Sequence, residues 1–236
     1  MNERGHQGDD VVFHAFDRTA EVDITTRNLP HWFQIGAAMF ITFRTADSLP
    51  KEVLQRWQRE LEQWLRIRNF PAALARSVIE RRLPHHDQLL RALDTGQQRE
   101  FKRLSDRIFH TSLDECHGAC LLRRPALAQL VSEALQFYNA DKYDLDCFVV
   151  MPNHVHAIVQ FRAGAQLATI SQSWLRFTAR RIAKVTGEAG AFWQPEPFDH
   201  LIRSPEQFAY LHRYIAENPQ KAKLGPGEYL SWQRPL

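Results

Sequence analysis

The chain has 236 residues, of which 44% are hydrophobic, 24% charged and 11% aromatic, a composition that excludes collagen-like, disordered and coiled-coil chains. Its net charge of +3 and isoelectric point near 8.9 are mildly basic, compatible with a nucleic-acid partner without requiring one. No apolar run reaches the roughly 18–20 residues of a membrane span. The N-terminal MNERGHQGDDVVFHAFDRTAE is polar and mixed in charge, so residues 1–30 are expected to form a flexible arm and not a signal peptide. Three cysteines (Cys116, Cys120 and Cys147) are too few for a disulfide framework and point to a reducing cytoplasm.

Residues 38–44 (AMFITFR) carry the β-branched and aromatic residues of a strand. From Pro50 to about Arg68, Val53, Trp57, Leu61, Trp64 and Leu65 recur at helical spacing. Two or three short helices are expected over 71–113, punctuated by Leu83-Pro84 and Asp94-Thr95-Gly96. A loop over 116–125 leads to a helix from about 126 to 139. YDLDCFVV (143–150) and HVHAIVQF (154–161) read as two strands joined by Met151-Pro152-Asn153. An amphipathic helix follows over 166–186, then a strand at 197–203. The last helix is signalled by Ser204 as cap, Pro205 at its first position and Gln207 completing a capping box; Pro219 is expected to end it near Asn218. This order predicts an α+β fold with a mostly antiparallel sheet flanked by helices. One domain is expected over 31–226, with 46–115 a helical insertion after its first strand and 227–236 a C-terminal tail.

Charge is unevenly distributed. Between Asp146 and Glu188 there is no acidic residue, while Arg162, Arg176, Arg180, Arg181 and Lys184 fall in that stretch. A one-signed segment in a balanced chain is either a phosphate footprint or a solvated basic face. Arg176, Arg180 and Lys184 repeat every four residues and share one helix face, while Arg181 is expected to point elsewhere. His154 and His156 flank one residue of a strand, so their side chains share a face and can reach one ion. With 11 histidines in the chain, about half a His-x-His triplet arises by chance, so a pair of core histidines is the competing reading. Two imidazoles also leave a metal needing a third ligand. In EQFAYLHRYIAENPQKA, Phe208, Leu211 and Ile215 form an apolar stripe with Tyr210, Tyr214 and Asn218 stacked along its flank. Tyrosines at that spacing either pack or stand over a cleft.

Several of these segments occur together in order. MPNHVHAIV (151–159), SWLRFTARRIAK (173–184) with FWQPEPFDHLIR (192–203), and YLHRYIAENPQKAKL (210–224) closely resemble the REP-associated tyrosine transposases, a branch of the single-tyrosine HUH transposases of bacterial insertion sequences. CLLRRPALAQLVSEAL (120–135) is similar to the helix before the HUH strand, and FITFR (40–44) to the first strand of that group. The resemblance implies a ferredoxin/RRM-like HUH endonuclease core. It implies that His154 and His156 hold one Mg²⁺ or Mn²⁺, with Asn218 as third ligand, and that Tyr214 is the nucleophile. The expected reaction is cutting and rejoining of single-stranded DNA beside palindromic hairpins through a 5′-phosphotyrosine, by a cytoplasmic, nucleoid-associated monomer or homodimer. Arg176, Arg180, Lys184 and Arg203 are expected to contact DNA, and Trp193 either to stack on an unpaired base or to pack in the core. Tyr210, which gives the helix a Tyr-x-x-x-Tyr pair, is expected to pack.

The sequence departs from the family at Lys223, where relatives place glycine, and at Pro195, where they commonly carry a charge. Two other functions use the same features. One is a replication-initiator or relaxase-like nickase; the other is a non-catalytic hairpin-binding protein that needs neither metal nor Tyr214. Cys116, His117 and Cys120 are spaced awkwardly for zinc, and only Cys147 or His110 offers to complete a site. His85-His86-Asp87 reads as a polar loop.

Overall fold

The computed structural model describes residues 11–26, 30–70 and 92–235. Expectations that fall on 1–10 and 71–91, including short helices and His85-His86-Asp87, lie outside the described residues. Contacts divide the chain into two compact units: one comprises the chain up to Ala46 and from Leu121 onward, the other Asp47–Cys120.

In the first unit, β1 (Asp23–Thr26) and β2 (Pro30–Phe33) form a two-stranded ribbon. The main sheet contains β3 (Ala38–Arg44), β4 (Tyr143–Val150), β5 (His154–Phe161), β6 (Phe198–Leu201) and β7 (Leu230–Gln233). Its order is β6-β3-β5-β4-β7, and every pairing is antiparallel. Among the described residues, three α-helices serve this unit: α3 (Pro125–Gln136), α4 (Leu167–Thr186) and α5 (Pro205–Lys221). Without β7, the chain order β3-α3-β4-β5-α4-β6 and the strand order give the split β-α-β arrangement of ferredoxin-like sheets.

Strand alternation decides what each face carries. Val155, Ala157, Val159 and Phe161 of β5 join a core with Leu127, Val131 and Leu135 of α3 and Trp174 and Ile182 of α4. On the other face Phe40, Val149 and Ile158 pack against Leu211 and Ile215 of α5. Each fully buried aliphatic or aromatic side chain contributes about 1.5–3 kcal/mol, so covering both faces makes β5 the anchor of the fold. It also explains why β5 is buried at all eight positions, polar His154 and His156 included.

Several boundaries differ from expectation. Helix α5 runs through Pro219 to Lys221 and does not stop at Asn218. A proline in the last turn removes only one backbone donor, and the turn closes by other bonds. Leu224 N–H donates to the Pro219 carbonyl (2.9 Å) and Lys223 N–H to that of Gln220 (3.0 Å), a Schellman closure with Lys223 left-handed at φ 56°. At the helix start Ser204 accepts from Gln207 N–H (3.2 Å), but the Gln207 side chain bonds Arg203 N–H, one residue before the cap. Residues 230–233, expected in the tail, are strand β7 against β4. Residues expected in the N-terminal arm are tied down: Phe16 N–H donates to the Ile202 carbonyl (2.7 Å), and Gln160 bonds both His14 N–H (2.6 Å) and the Val12 carbonyl (3.0 Å).

His31 of β2 fastens the ribbon to the sheet. Its Nδ1 bonds Asp199 of β6 and its Nε2 lies 2.6 Å from Glu196 Oε1. The hydrogen bond to Asp199 raises the imidazole pKa to about 9 against the opposing effect of burial, while burial holds the Asp199 carboxyl above its ordinary value.

The second unit pairs α1 (Lys51–Ile67) with α2 (Thr95–Asp114). Val53, Trp57, Leu61 and Leu65 of α1 meet Phe101, Ile108 and Leu113 of α2. Asp94-Thr95-Gly96, expected as a break, is the start of α2: Asp94 caps it through Gly96 and Gln97 in a complete capping box.

Candidate active site

Residues 154 and 156 stand on the α5 side of the sheet because both occupy the same parity of β5. Both histidines are fully buried, with ring centroids 4.6 Å apart and one nitrogen of each within 4.8 Å of the other. His154 Nδ1 lies 2.7 Å from Asn153 Oδ1, a pure acceptor, so Nδ1 carries the proton and Nε2 the lone pair. His156 Nδ1 lies 2.7 Å from the hydroxyl of Thr42, its register partner on β3, which can accept in the same way. Phe40 stacks on the His156 ring at 5.2 Å and fixes its plane.

Tyr214 of α5 faces this pair. Its ring lies 5.3 Å from His156 and 6.2 Å from Phe40, edge to face with each. Lys221, two turns later, places its ammonium 4.8 Å from the Tyr214 ring centre. Asn218, one turn after Tyr214, is fully buried on the same flank of the helix. Tyr210 is 58% exposed, which corrects the expectation that it packs: the 3.6-residue repeat turns it away from the stripe that Leu211 and Ile215 bury. Tyr143 is locked in the opposite core, donating to the Leu135 carbonyl (2.6 Å), and burial pushes its pKa up to about 12.

A donor set of two imidazole nitrogens, each ring held by a hydrogen bond at Nδ1, and an amide oxygen one turn from the phenol, fits a divalent cation. Sequence reasoning missed three contributors. Asn153 was visible as the residue before His154, Lys221 as a cation seven residues after Tyr214, and Thr42 only through the strand register.

The residues expected to bind DNA do not gather at Tyr214. Arg176, Arg180 and Lys184 are exposed on α4, which packs on the sheet face opposite α5. Arg181 lines the same depression as Arg176 and Arg180, and so does not point elsewhere. Arg203 is exposed between β6 and α5. Trp193 is a core residue, 5% exposed, with its indole N–H donating to Thr178 Oγ1 (2.8 Å) and Phe43 and Phe192 against its ring. That burial removes it as a base-stacking platform. In the other unit, the Cys120 thiol donates to the Cys116 carbonyl (2.8 Å), a local contact that needs no metal.

No family model matches the chain, and no curated protein matches it. Among solved structures, a REP-associated tyrosine transposase bound to a REP hairpin is similar at 13% identity and a TM-score of 0.42, over 83% of this chain and 74% of that one. A likeness of that size carries no argument about function. No described helix is long and apolar enough to cross a membrane.

Proposed function

We propose that this chain is a metal-dependent enzyme that cuts and rejoins single-stranded DNA beside hairpins, as the resemblance of its HVH and YIAENP segments implies. The observation that carries this reading is the approach of Tyr214 to His156, beside a second histidine whose tautomer Asn153 fixes. His154, His156 and Asn218 would hold Mg²⁺ or Mn²⁺. When bound, such an ion polarises the scissile phosphate and stabilises its developing charge.

The protein's own groups account for the rest. The Tyr214 phenol gives up its proton and its oxygen attacks phosphorus in line. A phosphorus–tyrosine oxygen bond forms, the bond to the 3′ oxygen breaks, and that oxygen takes up a proton as the 3′-hydroxyl. The reverse attack by this or another 3′-hydroxyl reseals a strand, so no nucleotide hydrolysis is required. Lys221, which also pairs with Glu217 Oε2 at 3.3 Å, would turn its ammonium from that carboxylate to the incoming phosphate. The substrate is hairpin DNA with a single-stranded flank, handled in the cytoplasm by a monomer or homodimer.

The test is a 3′-end-labelled hairpin from the gene's own flanks, incubated with wild type or His156→Ala, in Mn²⁺ or in EDTA. The expected result is a protein–DNA band that survives denaturation, depends on metal and is lost in the variant. Tight binding with no adduct in any metal or flank would favour the recognition-only reading.

A further inference from the structure

Trp193 is buried, and α4 exposes a different aromatic. Phe177 is 46% exposed and sits between Arg176, Arg180 and Arg181, with the Arg181 guanidinium 5.9 Å from its ring centre. Residues 172, 173, 176, 177, 180 and 181 recur at helical spacing. Their side chains line one open depression of about 570 Å³, in which Gln172 and Ser173 add hydrogen-bonding groups. The whole helix lies in the stretch between Asp146 and Glu188 that contains no acidic residue. Leaving a phenylalanine half in water forgoes part of its burial energy, and the guanidinium groups around it make a local positive potential that favours an anion.

We infer that Phe177 is a stacking platform for an unpaired base, on a DNA-binding face of α4 separate from the Tyr214 site. The inference rests on the proposed reading of the chain as a DNA-processing enzyme and extends it. An aromatic face interleaved with arginines suits single-stranded nucleic acid: the ring takes a base of any sequence while the guanidinium groups take the phosphates. A paired duplex offers its bases already stacked, so Phe177 gains nothing from it. Because α4 and α5 cover opposite faces of the sheet, this platform holds DNA away from the site of cleavage.

The test measures fluorescence anisotropy of full-length wild type, Phe177→Ala, Phe177→Trp and Arg180→Ala against an oligo-dT single strand and a blunt duplex. A 2-aminopurine reporter in the single strand reads stacking directly. Phe177→Ala is expected to weaken single-strand binding roughly ten-fold and abolish the 2-aminopurine quench, with duplex binding within about two-fold. Phe177→Trp restores both. Arg180→Ala weakens both DNAs and lowers the salt dependence by about one phosphate contact. Single-strand binding and quench unchanged in Phe177→Ala would overturn the inference, and would assign the exposed ring to a protein partner or to none. If wild type forms the Tyr214 adduct while Phe177→Ala binds normally, only this inference fails; if wild type binds no DNA, both readings fail.

Discussion

Thr42 on β3 and His156 on β5 are register partners, and the Thr42 hydroxyl lies 2.7 Å from His156 Nδ1. One bond therefore orients the imidazole that faces Tyr214, and Asn153 does the same for His154. Partners of this kind typically account for about 10–100-fold in metal affinity. Thr42→Val keeps the volume of a residue only 1% exposed while removing the hydroxyl. It is expected to weaken Mn²⁺ binding about ten-fold or more by calorimetry, with no loss of secondary structure. Unchanged Mn²⁺ affinity in both Thr42→Val and Asn153→Ala would separate these bonds from metal binding.

His31 is positively charged between two carboxylates, with its pKa raised to about 9 from an ordinary 6.5. The sign follows: stabilisation is complete below about pH 6.5 and is lost as pH rises through 9. His31→Gln should cost about 1–2 kcal/mol at pH 6. The gap to wild type should shrink as the pH approaches 10. Urea unfolding at pH 6, 8 and 10 reads it, and a gap that widens with pH would contradict the charged-imidazole assignment.

Lys223 occupies the left-handed position of the turn that closes α5, at φ 56°. A glycine there avoids the Cβ clash, so Lys223→Gly is expected to stabilise the protein by about 0.5–1 kcal/mol. The measurement is the midpoint of chemical denaturation. A loss of stability would show that the lysine side chain contributes more than its strained backbone costs.

Trp193→Phe removes the donor to Thr178 and some packing against Phe43, and should cost about 1–3 kcal/mol. DNA affinity of the folded variant should remain within about two-fold of wild type. A variant of wild-type stability that binds single-stranded DNA poorly would return Trp193 to the interface.

The bounds of β4 and β5 were legible because both strands are mostly apolar and Met151-Pro152-Asn153 separates them. The start of α5 was legible because Ser204 and Pro205 act locally. Its end was not, since the Schellman bonds that carry the chain past Pro219 have no compositional mark. Strands β1, β2 and β7 are four residues each and their pairing partners lie on other segments; β6, equally short, was legible only within the longer apolar PFDHLIR. The lock between His31 and Asp199 joins residues 168 apart, which no local pattern reports. At the site, the shared face of His154 and His156 followed from strand periodicity, whereas helix periodicity set Tyr210 and Tyr214 alike and only the resemblance of YIAENP favoured Tyr214. Which aromatic ring is exposed did not follow from periodicity, because Trp174 and Phe177 of α4 and Trp193 beyond it read alike until packing against the sheet buries two of them.

Tyr214 is the residue proposed to carry the DNA. The most direct measurement is peptide mapping of the covalent adduct by mass spectrometry, after nuclease trimming to a single 5′-nucleotide. The added mass is expected on Tyr214 alone, with no adduct in Tyr214→Phe and a normal one in Tyr210→Phe. An adduct on Tyr210, or one that survives in Tyr214→Phe, would contradict it.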